Sequence, residues 1–167
     1  MVLFINCTCK GLENEEIMEI KIQFESFESA DDLDTESQAL LKLSEDAMQQ
    51  AYAPYSEFKV GAAVKLANGK IITGNNQENA AYPSGLCAER VALFHASAMN
   101  PGAVIESIYI SCQKDEKICA PCGSCRQVIS QYEIRQQRPI DVYFPGGMGK
   151  IFKVHGIQNL LPFPFSL

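Results

Sequence analysis

The chain of 167 residues has no apolar stretch near the roughly 18–20 residues that a membrane-spanning helix needs, so no membrane partner is expected. No basic residue precedes the short apolar run Val2–Ile5, so no secretory leader is expected either. A basic excess is also lacking: 14 Lys and Arg against 20 Asp and Glu give a formal net charge of −6. Polynucleotide binding draws its affinity from cations that neutralise phosphates, so nucleic acid is not the expected partner. The chain shows no internal repeat and no low-complexity linker, which leaves one domain as the expectation. A domain of this size hides roughly 70% of the surface its unfolded chain exposes, so it can build a core without disulfide staples. Its seven cysteines therefore read as metal ligands or catalytic groups in a reducing, cytoplasmic compartment.

Hydrophobic periodicity lays out the elements. Residues 17–24, IMEIKIQF, alternate like an edge strand through Ile20, Ile22 and Phe24. A helix capped by Asp34 or Thr35 is expected to run to about Ala53, where Pro54 ends it, with Leu40, Leu43, Ala47, Met48 and Ala51 forming its apolar stripe. FKVGAAVKL, the turn around Asn68-Gly69, and IITGN read as a hairpin. A second helix should begin near Cys87 and end by Asn100. Residues 103–112 form a buried strand, and a third helix starts near Cys122 and runs to about Gln136. IDVYF (140–144) is a strand closed by a turn at Pro145-Gly146-Gly147, and Ile151 to Val154 is a further strand. Strands interleaved with helices mean a sheet covered by helices. GGMGK (146–150) lacks the outer residues of a phosphate loop and reads as a turn.

The chemistry concentrates in CAPCGSCRQ, residues 119–127. Cys-x-x-Cys-x-x-Cys opens a ferredoxin-type run, but that run needs a further Cys and Pro, and position 129 is Ile129. Cys87, Cys119, Cys122 and Cys125 could instead close a structural Cys₄ zinc site. CAER, residues 87–90, favours a third reading, a catalytic zinc held by Cys87, Cys122 and Cys125 with its fourth position open. Cys122 and Cys125 stand one helical turn apart and point the same way. Helix starts carry partial positive charge, which stabilises thiolates. Glu89, two residues beyond a ligand, is placed to move the proton of an activated water. Cys or His, then Glu, then Pro-Cys-x-x-Cys is the known layout of zinc deaminases acting on nucleobases. Three thiolates and one zinc sum to a charge of −1, so Arg90 or Arg126 is expected to hydrogen-bond the sulfurs and draw charge from them. Cys119 is an extra thiol, either a spectator on its loop or a competitor for zinc, and Cys7 and Cys9 have no assigned role. His95, two turns beyond Cys87, is too far away to be a ligand.

CAER and PCGSCRQ, together with AYAPYSEFKVGAAV (51–64), GNNQENAAYP (74–83) and the ending LLPFPF, resemble the small homotetrameric cytidine deaminases over roughly residues 38–165. The resemblance implies a three-layer α/β/α sandwich around a mixed, roughly five-stranded sheet. It implies a zinc-dependent deaminase domain over 38–167, preceded by an N-terminal extension, 1–37, that contributes at most one edge strand. It also implies one Zn²⁺ per subunit, a homotetramer, and a nucleoside substrate. Phe58 would pack on the pyrimidine, Asn76 and Glu78 would bind the ribose hydroxyls, and the backbone of Ala88 would meet the base edge. Phe165 would close a neighbouring subunit's pocket. Gln77 departs from the usual small apolar residue between Asn76 and Glu78.

The expected activity is hydrolysis of cytidine, and of 2′-deoxycytidine, to the uridine product and ammonia in pyrimidine salvage. A zinc-bound hydroxide attacks carbon 4, and Glu89 shuttles the proton. The rival readings are deamination of another cytosine-bearing small molecule such as a nucleoside antibiotic, polynucleotide editing, and a non-enzymatic Cys₄ zinc module. A carboxylate at position 78 would repel a phosphate, which favours a nucleoside over a nucleotide.

Overall fold

In the computed structural model, which describes residues 19–113 and 116–166, the elements run in order β1 (Glu25–Phe27), α1 (Thr35–Gln49), β2 (Val60–Leu66), β3 (Ile71–Asn75), α2 (Ala88–Met99), β4 (Ile105–Cys112), α3 (Gly123–Gln136), β5 (Asp141–Gly147) and β6 (Lys150–His155). The six strands form one sheet in the order β1-β6-β5-β4-β2-β3. Only β4 and β5 pair in parallel, so the sheet is mixed. One face buries Ala62, Val64, Ile108, Ile110, Val142 and Phe144 under α2 and α3. The other buries Ala63, Tyr109, Tyr143 and Ile151 under α1. The α/β/α sandwich is thus observed, with six strands where about five were expected.

Two glycines set how closely the helices approach the sheet. A Cβ at Gly61 would lie 2.0 Å from the Ser44 carbonyl oxygen of α1, and one at Gly74 would lie 2.5 Å from the Ala92 nitrogen of α2. Gly61 pairs with Asn75, and its neighbour Ala62 pairs with Gly74. Successive residues face opposite sides, so this single stretch of hairpin seats both helices. α1 is started by Asp34, whose Oδ1 accepts the Ser37 N–H at 2.8 Å. Hydrogen bonds then tie its buried face to β4: the Ser37 hydroxyl meets the Tyr109 hydroxyl at 2.9 Å, and Ser44 Oγ meets Ser111 Oγ at 2.5 Å.

Several boundaries differ from expectation. The first strand is Glu25–Phe27; the described residues 19–24 form no strand, and residues 17 and 18 lie outside the described set. Glu25 pairs with Lys153, so the described residues before Gln23 (19–22) run past the end of β6 and have no ladder to join. α1 stops at Gln49 rather than Ala53, because Tyr52 turns away to pair with Gln77. Its buried residues are Ser37, Leu40, Leu41 and Ser44; Leu43 is exposed, since serine-to-strand bonds rather than a purely apolar stripe orient this helix. β5 continues through Pro145 to Gly147 across a bulge, and the turn falls at Met148-Gly149, where both residues have positive φ.

Gly61→Ala drives a methyl into the α1 backbone, which cannot yield as a side-chain tip would. It is expected to cost at least about 2 kcal/mol of stability, toward the upper end of overpacking penalties, as read by the midpoint of chemical denaturation.

Candidate metal centre and active site

α2 and α3 lie side by side on one face of the sheet and run in the same direction. Cys87 meets Cys122 at their starts, the Tyr132 hydroxyl donates to the Leu93 carbonyl further along, and Arg135 reaches Ser97 Oγ further still. Their N-termini therefore converge, and Cys87 and Cys122 are the two N-cap residues. The first intrahelical bonds go from Val91 N–H to the Cys87 carbonyl and from Arg126 N–H to the Cys122 carbonyl. The amides of the first turns thus have no partner within the helix and present positive charge toward the sulfurs.

Cys87 and Cys122 sulfurs are 3.8 Å apart, Cys122 and Cys125 sulfurs 3.5 Å, and all three lie within 4.8 Å of one another. A tetrahedral zinc with Zn–S bonds of about 2.3 Å separates its sulfurs by about 3.8 Å. The soft donor set and its spacing both fit zinc. Among the described residues no other Cys, His or carboxylate completes this group, so a fourth position stays open. Cys119 does not join it; its thiol hydrogen-bonds Cys112 instead, and that bond together with burial pushes its pKa up.

Without an ion the three sulfurs cannot all ionise. Cys87 is brought down to about 5 by a hydrogen bond from Cys125, against the cost of burial, with further help from Arg90 and Cys122. Cys125, giving that bond, is pushed up, and burial and the nearby Glu89 push it further. Arg90 Nη2 donates to Cys87 Sγ at 3.8 Å. Its Nε is buried without a hydrogen-bond partner. Arg126 does not touch the sulfurs. Its Nε donates to the Pro121 carbonyl at 2.7 Å and its Nη1 to the Leu160 carbonyl at 3.0 Å. It ties the turn ahead of Cys122 to the C-terminal segment, and of the two arginines only Arg90 makes the expected sulfur contact.

Glu89 is 5% exposed. Burial raises its carboxyl pKa, its own backbone amide lowers it, and the Cys87 sulfur raises it again; Cys125 also hydrogen-bonds it. A carboxyl held toward its neutral form beside three sulfurs is equipped to carry a proton rather than only a charge.

A cavity of about 490 Å³ opens beside the sulfurs, lined by Asn76, Gln77, Glu78, Cys87 and Arg90 and walled by Tyr55 and Tyr82. Backbone N–H groups of Tyr55 and Ser56 and the Ser56 hydroxyl all donate to the Glu78 carboxylate, lowering its pKa and keeping it ionised. Asn76 is largely spent on structure: its Oδ1 accepts from Val60 N–H at 2.8 Å and its Nδ2 donates to the Phe58 carbonyl at 2.9 Å. Phe58 itself is half-buried and does not line the cavity. Ala88 is fully buried at the first position of α2, where its backbone N–H has no intrahelical partner. Phe165 lies apart, 69% exposed, its backbone gripped by both ends of the Gln127 amide at 2.8 and 2.9 Å. Tyr55, Ser56, Tyr82 and Gln127 were not singled out in the sequence. The first two sit inside the AYAPYSEF stretch, and asking what holds Glu78 would have found them.

Comparison with known proteins gives a consistent result. Residues 34–138 match the family described as the cytidine and deoxycytidylate deaminase zinc-binding region. A cytidine deaminase of Halalkalibacterium halodurans is 37% identical over 131 residues, spanning 77% of this chain and 93% of that protein. One from Sporosarcina psychrophila is 38% identical over 127 residues, 76% of this chain and 89% of the other. The crystal structure of cytidine deaminase from Burkholderia pseudomallei superposes with a TM-score of 0.67 at 38% identity, covering 76% of this chain and 97% of that one.

Cys125→Ala removes a buried donor from the sulfur group, and its purified chain is expected to hold far less than one equivalent of zinc by elemental analysis. Cys119→Ala is expected to keep its zinc, because its thiol stands outside the group.

Proposed function

Because the chain belongs to the cytidine and deoxycytidylate deaminase family, we propose that it deaminates cytidine and 2′-deoxycytidine hydrolytically, with Glu89 as the proton carrier. The observation that carries the assignment of roles is the buried Glu89 carboxyl beside a three-sulfur group with one position left open. A structural zinc knot has no use for either feature.

Cys87, Cys122 and Cys125 would hold the zinc, with Arg90 drawing charge from Cys87. Zinc bound there acts as a Lewis acid and makes a water ligand nucleophilic near neutral pH. The rest falls to the chain. Glu89 takes the proton that water gives up, passes it to the ring nitrogen next to carbon 4, and later protonates the departing amine. A C–O bond replaces the C–N bond, and ammonia leaves. The raised pKa of Glu89 suits a group that must both accept and donate a proton. The Ala88 N–H contacts the base edge, and Phe58, which stands outside the cavity, turns toward it to pack on the pyrimidine. Glu78, ionised and acceptor-only, takes the ribose hydroxyls, while Asn76 braces the Phe58 backbone and shares the ribose contact.

In this reading the working form is a homotetramer of the cytoplasm that serves pyrimidine salvage. Two features support association: Phe94 and Met99 on α2 and Ile134 on α3 are exposed, and so is Phe165 on its clamped tail, where a neighbouring copy's pocket can receive it. The described residues contain no helix long and apolar enough to cross a membrane.

Purified protein with cytidine should release ammonia and lose ultraviolet absorbance as uridine forms. Glu89→Gln is expected to lower kcat by at least about 10²–10⁴-fold, the scale of a positioned acid–base group, with zinc content unchanged. Normal turnover in that variant would refute the role given to Glu89. The ionised Glu78 in the sugar end of the cavity repels a 5′-phosphate. kcat/KM for deoxycytidine monophosphate should therefore fall clearly below that for deoxycytidine, the more so at low ionic strength, where like charges are least screened. Equal rates would remove Glu78 as the selector.

A further inference from the structure

Apart from the metal group, the fold brings a second pair of thiols together, Cys112 and Cys119. Cys112 is the last residue of β4 and is buried; Cys119 is half-buried. Backbone pairing delivers both to one place. β4 and β5 run parallel as far as Tyr109 opposite Tyr143, and Cys112, three residues further on at the end of β4, lines one groove together with Pro145 of β5. The chain then returns along the same stretch of β5. Ile118 bridges Gly146, and the Cys119 N–H donates to the Pro145 carbonyl at 2.9 Å. The return is close: Gly147 has φ +84°, and a Cβ there would lie 3.2 Å from the Glu116 carbonyl oxygen. The Cys119 thiol hydrogen-bonds Cys112. On the other side Cys112 lines a groove of about 460 Å³ between α1 and the β5–β6 turn, room enough for a small organic molecule. Neither sulfur belongs to the metal group.

We propose that Cys112 and Cys119 form a reversible disulfide, a redox modification site behind the loop that carries the metal ligands. Thiol pairs that oxidise in a reducing compartment are usually transient and sensing rather than structural. The oxidant is a small organic disulfide, RSSR. Cys112 gives up its proton, its sulfur attacks one sulfur of RSSR, the S–S bond breaks, and the thiolate released takes the proton. Cys119 then gives up its proton, and its sulfur displaces the second RS⁻ from Cys112. Two protein thiols and one RSSR become one intrachain disulfide and two RSH. The protein is oxidised by two electrons and RSSR is reduced by two.

Drawing a hydrogen-bonded sulfur pair in to the ~2.05 Å of a disulfide pulls Cys119 toward β4. Cys119 lies three residues ahead of Cys122, and Pro121 between them is anchored by Arg126. The pull therefore reaches the sulfur group, and oxidation lowers turnover. That consequence rests on the proposed deaminase activity; the bond itself does not.

The test uses the zinc-loaded full chain and oxidised glutathione. After oxidation the remaining thiols are alkylated and the digest is mapped by mass spectrometry, with zinc content and cytidine turnover followed in parallel. The expected result is a Cys112–Cys119 link, a mass lower by two hydrogens, and zinc retained. Turnover should fall at least about tenfold, given that a misplacement near 1 Å can cost about 10²-fold, and should recover with dithiothreitol. Cys119→Ser should keep the unoxidised rate and lose both the link and the inhibition; Cys112→Ser should lose the link in the same way. Absence of the link, a glutathione adduct that never resolves, or a link drawn from Cys87, Cys122 or Cys125 would overturn the site. A link formed with turnover unchanged would overturn its regulatory effect. A linked chain that never deaminates cytidine in either state would count against the deaminase reading and leave the disulfide standing.

Discussion

Two helix N-termini held against one another on one face of a sheet are the constraint on which this protein depends. Each start brings unpaired amides and partial positive charge, and each is capped by a cysteine. Three sulfurs within 4.8 Å would repel one another as thiolates if nothing offset them. The helix ends, Arg90 and a divalent cation together make that density of negative charge tolerable. Glu89 adds a carboxyl to the same space, and its burial raises its pKa. The proposed acid–base chemistry and metal binding would both follow from this one electrostatic arrangement.

The sheet exists to hold that arrangement still. Gly61 and Gly74, in paired strands and facing opposite sides, let α1 and α2 press onto the same hairpin. The hairpin also carries the substrate end of the cavity. Asn76 follows β3 directly and holds the backbone at Phe58 and Val60 through both ends of its amide. Glu78 in turn is held by Tyr55 and Ser56. Segments separated by about twenty residues are therefore locked into one wall before any ligand arrives, which limits the ordering cost of binding.

Much of this was legible in the residues. The hairpin, both helix starts and the strands around 103–112 and 140–144 follow from turn chemistry and apolar periodicity, because those signals are local; that the last two pair in parallel does not. CAER and PCGSCRQ declared the ligand set because spacing within one helical turn dictates which way side chains point. The errors were of another kind. IMEIKIQF alternates like a strand, yet its described part has no neighbour to pair with beyond β6. Leu43 fits a helical stripe, yet hydrogen bonds from Ser37 and Ser44 to β4 rotate α1 so that Leu41 is buried instead. Arg126 sits beside a ligand in sequence, and its guanidinium is taken by Pro121 and Leu160.

The amino-acid sequence by itself determined the chemical inventory: cysteines and a glutamate on helix starts, with an acidic chain around them. Those facts depend on residue type and short spacing, which the chain carries wherever it goes. Tertiary structure alone decided which of the neighbouring groups take part. Cys119 is three residues from Cys122 yet its thiol meets Cys112 at the end of β4, and Arg90 reaches the sulfurs while Arg126 does not. Such choices are made by contacts between segments far apart along the chain, and no local pattern encodes the distance between them.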